Sequence, residues 1–204
     1  MTPPGEHRPG PALRLPFEPV LPLRTERLEL RAFRKTDFDA LFAFHSRPDV
    51  VRYVPFDPRS REEMAVALDR KLAGTALRED GDHLDCAVAL AGDGLMLGDV
   101  LLFLRAAEHA TLEVGYIFHP AYAGRGYATE AVRALLDLAF ADAGAHRVIA
   151  RVDARNAASR ALCGRLGMRP ETYLVENEWF KGEWSDEIDY ALLDREWPSD
   201  STDR

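Results

Sequence analysis

Two cysteines in 204 residues, Cys86 and Cys163, are too few to argue a disulfide framework. The six histidines are scattered with no HxxxH or CxxC pairing, so no metal site is expected. No apolar run approaches the length of a membrane span, and the N-terminus lacks the apolar centre of a signal peptide. The expectation is a cytoplasmic chain with no membrane partner. A basic surplus is also missing. The formal net charge of -8 argues against a nucleic-acid backbone as main partner, since counterion release needs a basic face. That balance would favour cationic partners, although ordinary solubility looks the same.

What is present describes a folded domain. Hydrophobic residues make up 47% and charged residues 29%. The length fits one α/β domain with a tail, able to bury roughly 70% of its unfolded surface. Residues 1–22 carry Pro3, Pro4, Pro9, Pro11, Pro16, Pro19 and Pro22 and read as an extended, mobile tail. The domain itself is expected over 23–198, with a disordered end at 199–204.

Periodicity supplies the elements. Leu28, Leu30 and Ala32 alternate with charged neighbours as a first strand. Thr36-Asp37 opens a helix with Phe38, Leu41 and Phe42, and Ser60 precedes Glu62, Glu63 and a helix with Met64, Leu68 and Leu72 on one face. Three strands follow at 83–91, 95–105 and 110–118, the first two turned by Gly92-Asp93-Gly94. A helix spans 127–141, a strand 146–153 and a helix 156–166 that Gly167 caps. Strands near 171–180 and 185–193 are joined through Lys181-Gly182. The order predicts an α/β (α+β) domain, with a mixed central sheet of six to seven strands flanked by helices.

The informative stretch is Ile117 to Glu130, where a strand ends, a loop carries Gly124 and Gly126, and a helix begins at once. Glycines permit close backbone approach. The open amides of the first helical turn and the positive end of the dipole suit a diphosphate, and Arg125 can add a direct charge. A plain Gly-x-Gly turn is the competing reading. A Rossmann fingerprint is excluded by Thr129 and a Walker loop by the missing Gly-Lys-Ser/Thr.

Three stretches together resemble the RimJ/RimL branch of the GNAT N-acetyltransferase superfamily. They are Thr25-Glu-Arg-Leu-Glu-Leu-Arg31, Gly124-Arg-Gly-Tyr-Ala-Thr-Glu130 after Glu113-Val-Gly-Tyr116, and Asn156-Ala-Ala-Ser-Arg-Ala-Leu162 ending in Leu166-Gly167-Met168. The resemblance spans about residues 22 to 198. It implies an acetyltransferase with acetyl-CoA as donor and an amine as acceptor, a small molecule or a protein N-terminus. Backbone groups of Tyr116, Ile117 and Phe118 would pair with the pantetheine arm. The amides of Gly124, Arg125, Gly126, Tyr127, Ala128 and Thr129 would cradle the diphosphate. Asn156 would hold the cofactor's amide portion, and it also suits a helix N-cap. Ala123 departs from the family's loop, which usually has Arg or Gln there.

Direct transfer needs a base for the ammonium, donors for the oxyanion and an acid for the thiolate. Glu113 resembles the family's base, acting directly or through water; a strand-end salt bridge is its alternative. Cys163 stands where many relatives have the acidic Tyr, and a small core thiol is the other reading. Ser159 would steady the thiolate or serve the helix cap. The acidic stretch from Glu171 to Asp189, with Tyr173, Trp179, Phe180, Trp184 and Tyr190 interleaved, suits a cationic amine or a solvated strand face over core aromatics. Two other readings stay open, a non-catalytic acyl-CoA-binding module and transfer of another acyl group such as succinyl. The sequence does not fix the oligomeric state, and a homodimer is compatible with it.

Overall fold

The computed structural model describes residues 12–198. Its strands are β1 (Leu23–Arg24), β2 (Leu28–Arg31), β3 (His83–Leu90), β4 (Met96–Ala106), β5 (Thr111–Phe118), β6 (Arg147–Asp153), β7 (Arg169–Phe180) and β8 (Glu183–Leu193). The α-helices are α1 (Phe38–His45), α2 (Arg61–Ala73), α3 (Tyr127–Asp137) and α4 (Ala157–Arg165). The strands form one mixed sheet in the order β1-β2-β3-β4-β5-β6-β8-β7. The eighth strand, beyond the six or seven expected, is the two-residue β1. Among the described residues no helix is long and apolar enough to cross a membrane.

The period of two sorts side chains onto two faces. On one face Leu84, Cys86 and Val88 of β3 and Val100, Leu102 and Leu104 of β4 join Val132, Leu135 and Leu136 of α3 and Leu162 of α4. On the other, Leu41 and Phe44 of α1 and Met64 and Leu68 of α2 pack with Ala87, Met96 and the partly buried Ile117. Each large side chain so buried contributes roughly 1.5–3 kcal/mol.

Local chemistry sets the helix ends. Ser60 Oγ accepts from the Glu63 amide at 3.2 Å while Glu63 accepts from the Ser60 amide at 2.8 Å, a capping box. Asp37 accepts from the Arg34 amide at 2.7 Å, capping the 3-10 turn before α1, and takes a bidentate pair from Arg31 at 2.7 and 2.8 Å in the buried interior. Gly167, at φ 78°, ends α4, and Met168 packs beyond it. The helix expected through Ala141 stays α-helical to Asp137 and continues as a π turn over Leu138–Asp142.

The mobile tail expected over residues 1–22 needs correction. From Leu13 onward the segment is docked, with Leu13 and Phe17 buried. Phe17 and Leu77 exchange backbone hydrogen bonds at 2.8 and 3.0 Å. Prolines forbid a helix there but leave an extended strand free to insert its apolar side chains. Residues 1–11 and the end expected at 199–204 lie outside the described residues.

A charged seam joins α2 to the sheet. Lys71 Nζ pairs with Asp85 Oδ1 at 3.1 Å and, more closely, with Asp99. His83 contacts the other oxygen of Asp85. Burial works against the Lys71 charge, but Asp99 and Asp85 outweigh it and hold its pKa above the ordinary value. Burial likewise opposes the Asp99 charge, and Lys71 and His45 together overcome it, keeping the carboxyl below its ordinary range. Lys71→Met would leave two buried carboxylates facing each other. It is expected to cost about 3 kcal/mol, read in a melt as a fall of about 10 °C. An unchanged melting temperature would show that the carboxylates find other partners freely.

Candidate active site

β5 and β6 run parallel but pair only at Thr111↔Arg147, Leu112↔Val148 and Glu113↔Ile149. Beyond that point β5 goes on pairing with β4 as far as Phe118, and β6 with β8 as far as Asp153. The strands therefore part, and each presents an unpaired backbone edge to the other. Tyr116, Ile117 and Phe118 lie on the free part of β5.

Alternation sends the β5 side chains two ways. Tyr116 turns toward α4, its hydroxyl 3.5 Å from the Ser159 carbonyl and 3.8 Å from Cys163 Sγ. Burial pushes the Tyr116 hydroxyl well above its ordinary pKa, so it stays protonated. Burial raises the Cys163 thiol too, and its side chain packs within the core. Glu113 lies on the opposite face, paired with Arg105 at 2.5 Å. The structure thus groups Tyr116, Ser159 and Cys163 and sets Glu113 apart from them.

The loop after β5 behaves as its glycines require. Gly124 and Gly126 have φ of 76° and 80°, a region that other residues enter only with strain. Gly126 is the N-cap of α3, and the first helical amide to be paired is Glu130, with the Gly126 carbonyl at 3.0 Å. The amides from Gly126 to Thr129 are the four donors that helix geometry leaves open. Ala123 and Arg125 are exposed.

Glu130, the acidic group best placed to cap those donors, is held elsewhere. Its Oε1 accepts from Thr25 Oγ1 at 2.5 Å and the Arg27 amide at 2.9 Å, and its Oε2 from Arg27 Nε at 2.7 Å. Arg27 also donates to the Arg125 carbonyl at 3.0 Å and lies over the Tyr127 ring at 4.8 Å. The opening Thr25-Glu-Arg27 stretch and the glycine loop are thus two halves of one clamp. On α4, Asn156 Oδ1 accepts from the Ser159 amide at 3.1 Å, the N-cap role. Arg165 donates to Thr129 Oγ1 at 3.2 Å, tying α4 to the first turn of α3.

Two cavities border the Glu113 face. One of about 210 Å³ is lined by His45, Arg59, Asp99 and Ile117 among others, and one of about 110 Å³ by Glu113, Arg151 and Glu187. The acidic stretch beside the second is largely compensated. Arg151 pairs with Glu178 at 2.7 Å and Glu187 at 2.9 Å, Arg155 with Asp153 at 2.7 Å and Glu183 at 2.5 Å. Asp186 accepts from Tyr173 Oη at 2.5 Å. Trp179 and Trp184 are exposed and meet edge to face at 5.4 Å, whereas Tyr190 is core. Neither a bare acidic rim nor a plain solvated face describes this edge.

Sequence reading did not find His45, Arg59, Lys71, Asp85 or Asp99 as neighbours. The available signal was a single Asp inside each of two apolar strands, His83–Leu90 and Met96–Ala106.

Comparison with known proteins agrees with this geometry. The Acetyltransferase (GNAT) domain family matches residues 27–169. The uncharacterized N-acetyltransferase YnaD of Bacillus subtilis is 30% identical over 176 residues, 86% of this chain and 98% of that protein. The crystal structure of a GNAT-family acetyltransferase from Bacillus anthracis superposes with a TM-score of 0.78 at 30% identity, covering 86% of this chain and all (100%) of that one. Spermidine N-acetyltransferase from Vibrio cholerae, solved with CoA and spermine, shares the fold with a TM-score of 0.72 at 21% identity, covering 84% and 98%.

The clamp generates a pH prediction. Burial tends to raise the Glu130 pKa, but hydrogen bonds from Thr25 and Arg27 prevail and lower it below its ordinary 4.5. A lowered carboxylate stabilises the fold above its unfolded pKa and loses that contribution as pH falls through the folded value. The unmodified chain should therefore lose more stability between about pH 5 and 3 than Glu130→Gln, which should itself melt a few degrees lower at pH 7. Parallel melting-temperature curves across that range would refute the clamp. The loop, the parted strands and the matched family lead to one assignment: the chain belongs to the GNAT acetyltransferase family.

Proposed function

We propose that the chain transfers the acetyl group of acetyl-CoA directly onto a primary amine, a peptide or protein N-terminus or a small amine. The carrying observation is the set of open amides from Gly126 to Thr129, directly after the strand that parts from β6. These amides, with those of Gly124 and Arg125, suit the donor's diphosphate. The free edge of β5 at Tyr116, Ile117 and Phe118 suits the amide-bearing pantetheine arm. Asn156 keeps its side-chain nitrogen for the same arm, since its oxygen serves the cap.

Glu113 takes a proton from the ammonium through water, because its carboxylate lies on the acceptor face but is engaged by Arg105. The freed nitrogen lone pair joins the thioester carbonyl carbon, the C–S bond breaks and the sulfur leaves as thiolate. Ser159 steadies that thiolate. That thiolate takes its proton from the Cys163 thiol, 3.8 Å from the protonated Tyr116 hydroxyl, and Cys163 regains a proton from the nitrogen by way of water. The nitrogen gives up its second proton, and the products are an N-acetyl amine and free CoA.

Saturating acetyl-CoA at about 100 times Kd should stabilise the fold by about 2.7 kcal/mol. A melt that ignores both acetyl-CoA and CoA would sink the donor assignment. Thiol release across a panel of amines then separates an enzyme from a binding module. With a good acceptor, Glu113→Gln should lower kcat about 100-fold or more with little change in the acetyl-CoA KM. Unchanged turnover would remove Glu113 as the base.

A further inference from the structure

Five buried side-chain nitrogens and oxygens among the described residues lack a hydrogen-bond partner, and four of them belong to residues that line one cavity. They are both ring nitrogens of His45, Oδ1 of Asp99 and Nε of Arg59. Buried polar groups are satisfied in folded proteins almost without exception, so four at one cavity mark a place shaped for a polar occupant. His45 is only 2% exposed, its ring stacked on Phe56 at 5.6 Å. Its Nε2 stands 3.6 Å from Asp99 Oδ1, too far for a hydrogen bond.

The two ends of the cavity differ in charge. Asp99 on β4 is the register partner of Ile117 in β5, across that strand from the edge assigned above to the donor. Its other oxygen is held by Lys71. Arg59 stacks on the Phe56 ring at 4.2 Å. No carboxylate among the described residues comes within ion-pair distance of its guanidinium, and burial works against its charge. The fields of Glu63 and Asp99 favour the charge, and that of Arg70 opposes it. A guanidinium with no direct ion-pair partner can take an anion, in the bidentate manner that suits a carboxylate.

We propose that this cavity is the acceptor site and selects a small zwitterion, a primary amine with a carboxylate a few bonds away, such as a free amino acid. The ammonium lies at Asp99 and His45 and the carboxylate on Arg59. A polyamine would bring a second cation against Arg59, and a peptide N-terminus would offer it only a neutral carbonyl. This assignment rests on the amine-transfer reading, in which Glu113, lining the smaller of the two cavities, reaches the ammonium only through water.

The test measures thiol release from acetyl-CoA with the twenty standard L-amino acids, then compares the best with its amide and its decarboxylated amine. The free acid should exceed both by at least tenfold in kcat/KM. Arg59→Gln should raise KM for the acid at least tenfold more than KM for the amide, with Arg59→Lys recovering part of the difference. Amides, polyamines or peptides that match or exceed the acids would overturn the proposal, as would an Arg59→Gln variant that affects acid and amide alike. If that variant does not fold, the comparison on the unmodified chain decides. Calorimetric titration of the same amino acids and amides into the CoA-saturated protein separates the two readings. Binding of acids but not amides without thiol release keeps the site and rejects transfer, and no binding of acids rejects the site.

Discussion

The carboxylate of Glu130 determines what the glycine loop can hold. A Glu in the first turn of a helix ordinarily stabilises that turn by facing its own positive end. Here the carboxylate is drawn sideways by three donors from Thr25 and Arg27, a hydroxyl, an amide and a guanidinium. The amides of the first turn are thereby left for an anion from outside, while the charge stays close enough to strengthen the attachment of the edge strands. Arg27 completes the arrangement by binding the Arg125 carbonyl and covering Tyr127. A Cβ at Gly126 would meet its guanidinium at 3.4 Å, in a backbone conformation already unfavourable to any other residue. Two stretches about a hundred residues apart are thus one structural unit.

A second constraint is the short pairing of β5 with β6. Three residue pairs suffice to align the strands, and their parting after Glu113 creates a gap with free backbone on both sides. The period of two then divides the work. Tyr116 joins Ser159 and Cys163 on the α3–α4 face, while Ile117 faces the cavity beneath α1 and α2 and Glu113 the one beside Tyr53, Arg151 and Glu187. Groups suited to a departing thiolate and groups suited to an incoming amine are therefore separated by the strand itself. No side chain need serve both.

Much of this was legible because it is local. The capping box at Ser60, the two-residue turn at Lys181-Gly182 and the αL glycine after α4 each depend on neighbours within a few residues. Element order and the glycine loop follow from periodicity and backbone chemistry. What stayed hidden is non-local. Arg14 and Phe17 look like part of a proline-rich tail until Ala143 and Leu77 are seen to receive them. Glu130 looks like a dipole partner until Arg27 is brought beside it. The acidic C-terminal stretch looks like an open negative surface until Arg151 and Arg155, from another strand and a loop, are counted. Composition records the carboxylates but not which arginines neutralise them.

The seam of Lys71, Asp85 and Asp99 shows why such hidden contacts matter for function. One lysine between two carboxylates is a poor way to gain stability, because well-packed apolar side chains would do as well without the desolvation cost. Its consequence is directional. Lys71 binds one oxygen of Asp99 and so leaves the other, Oδ1, without a hydrogen bond, 3.6 Å from His45 Nε2 at the cavity wall. The same ion pair keeps Asp99 charged where burial alone would protonate it. An anionic carboxylate is thereby held beside Ile117, on the side of β5 opposite its free edge. The stabilising pairing and the unsatisfied polar group are two sides of one carboxylate, which is how a buried charge can both anchor α2 and face the site.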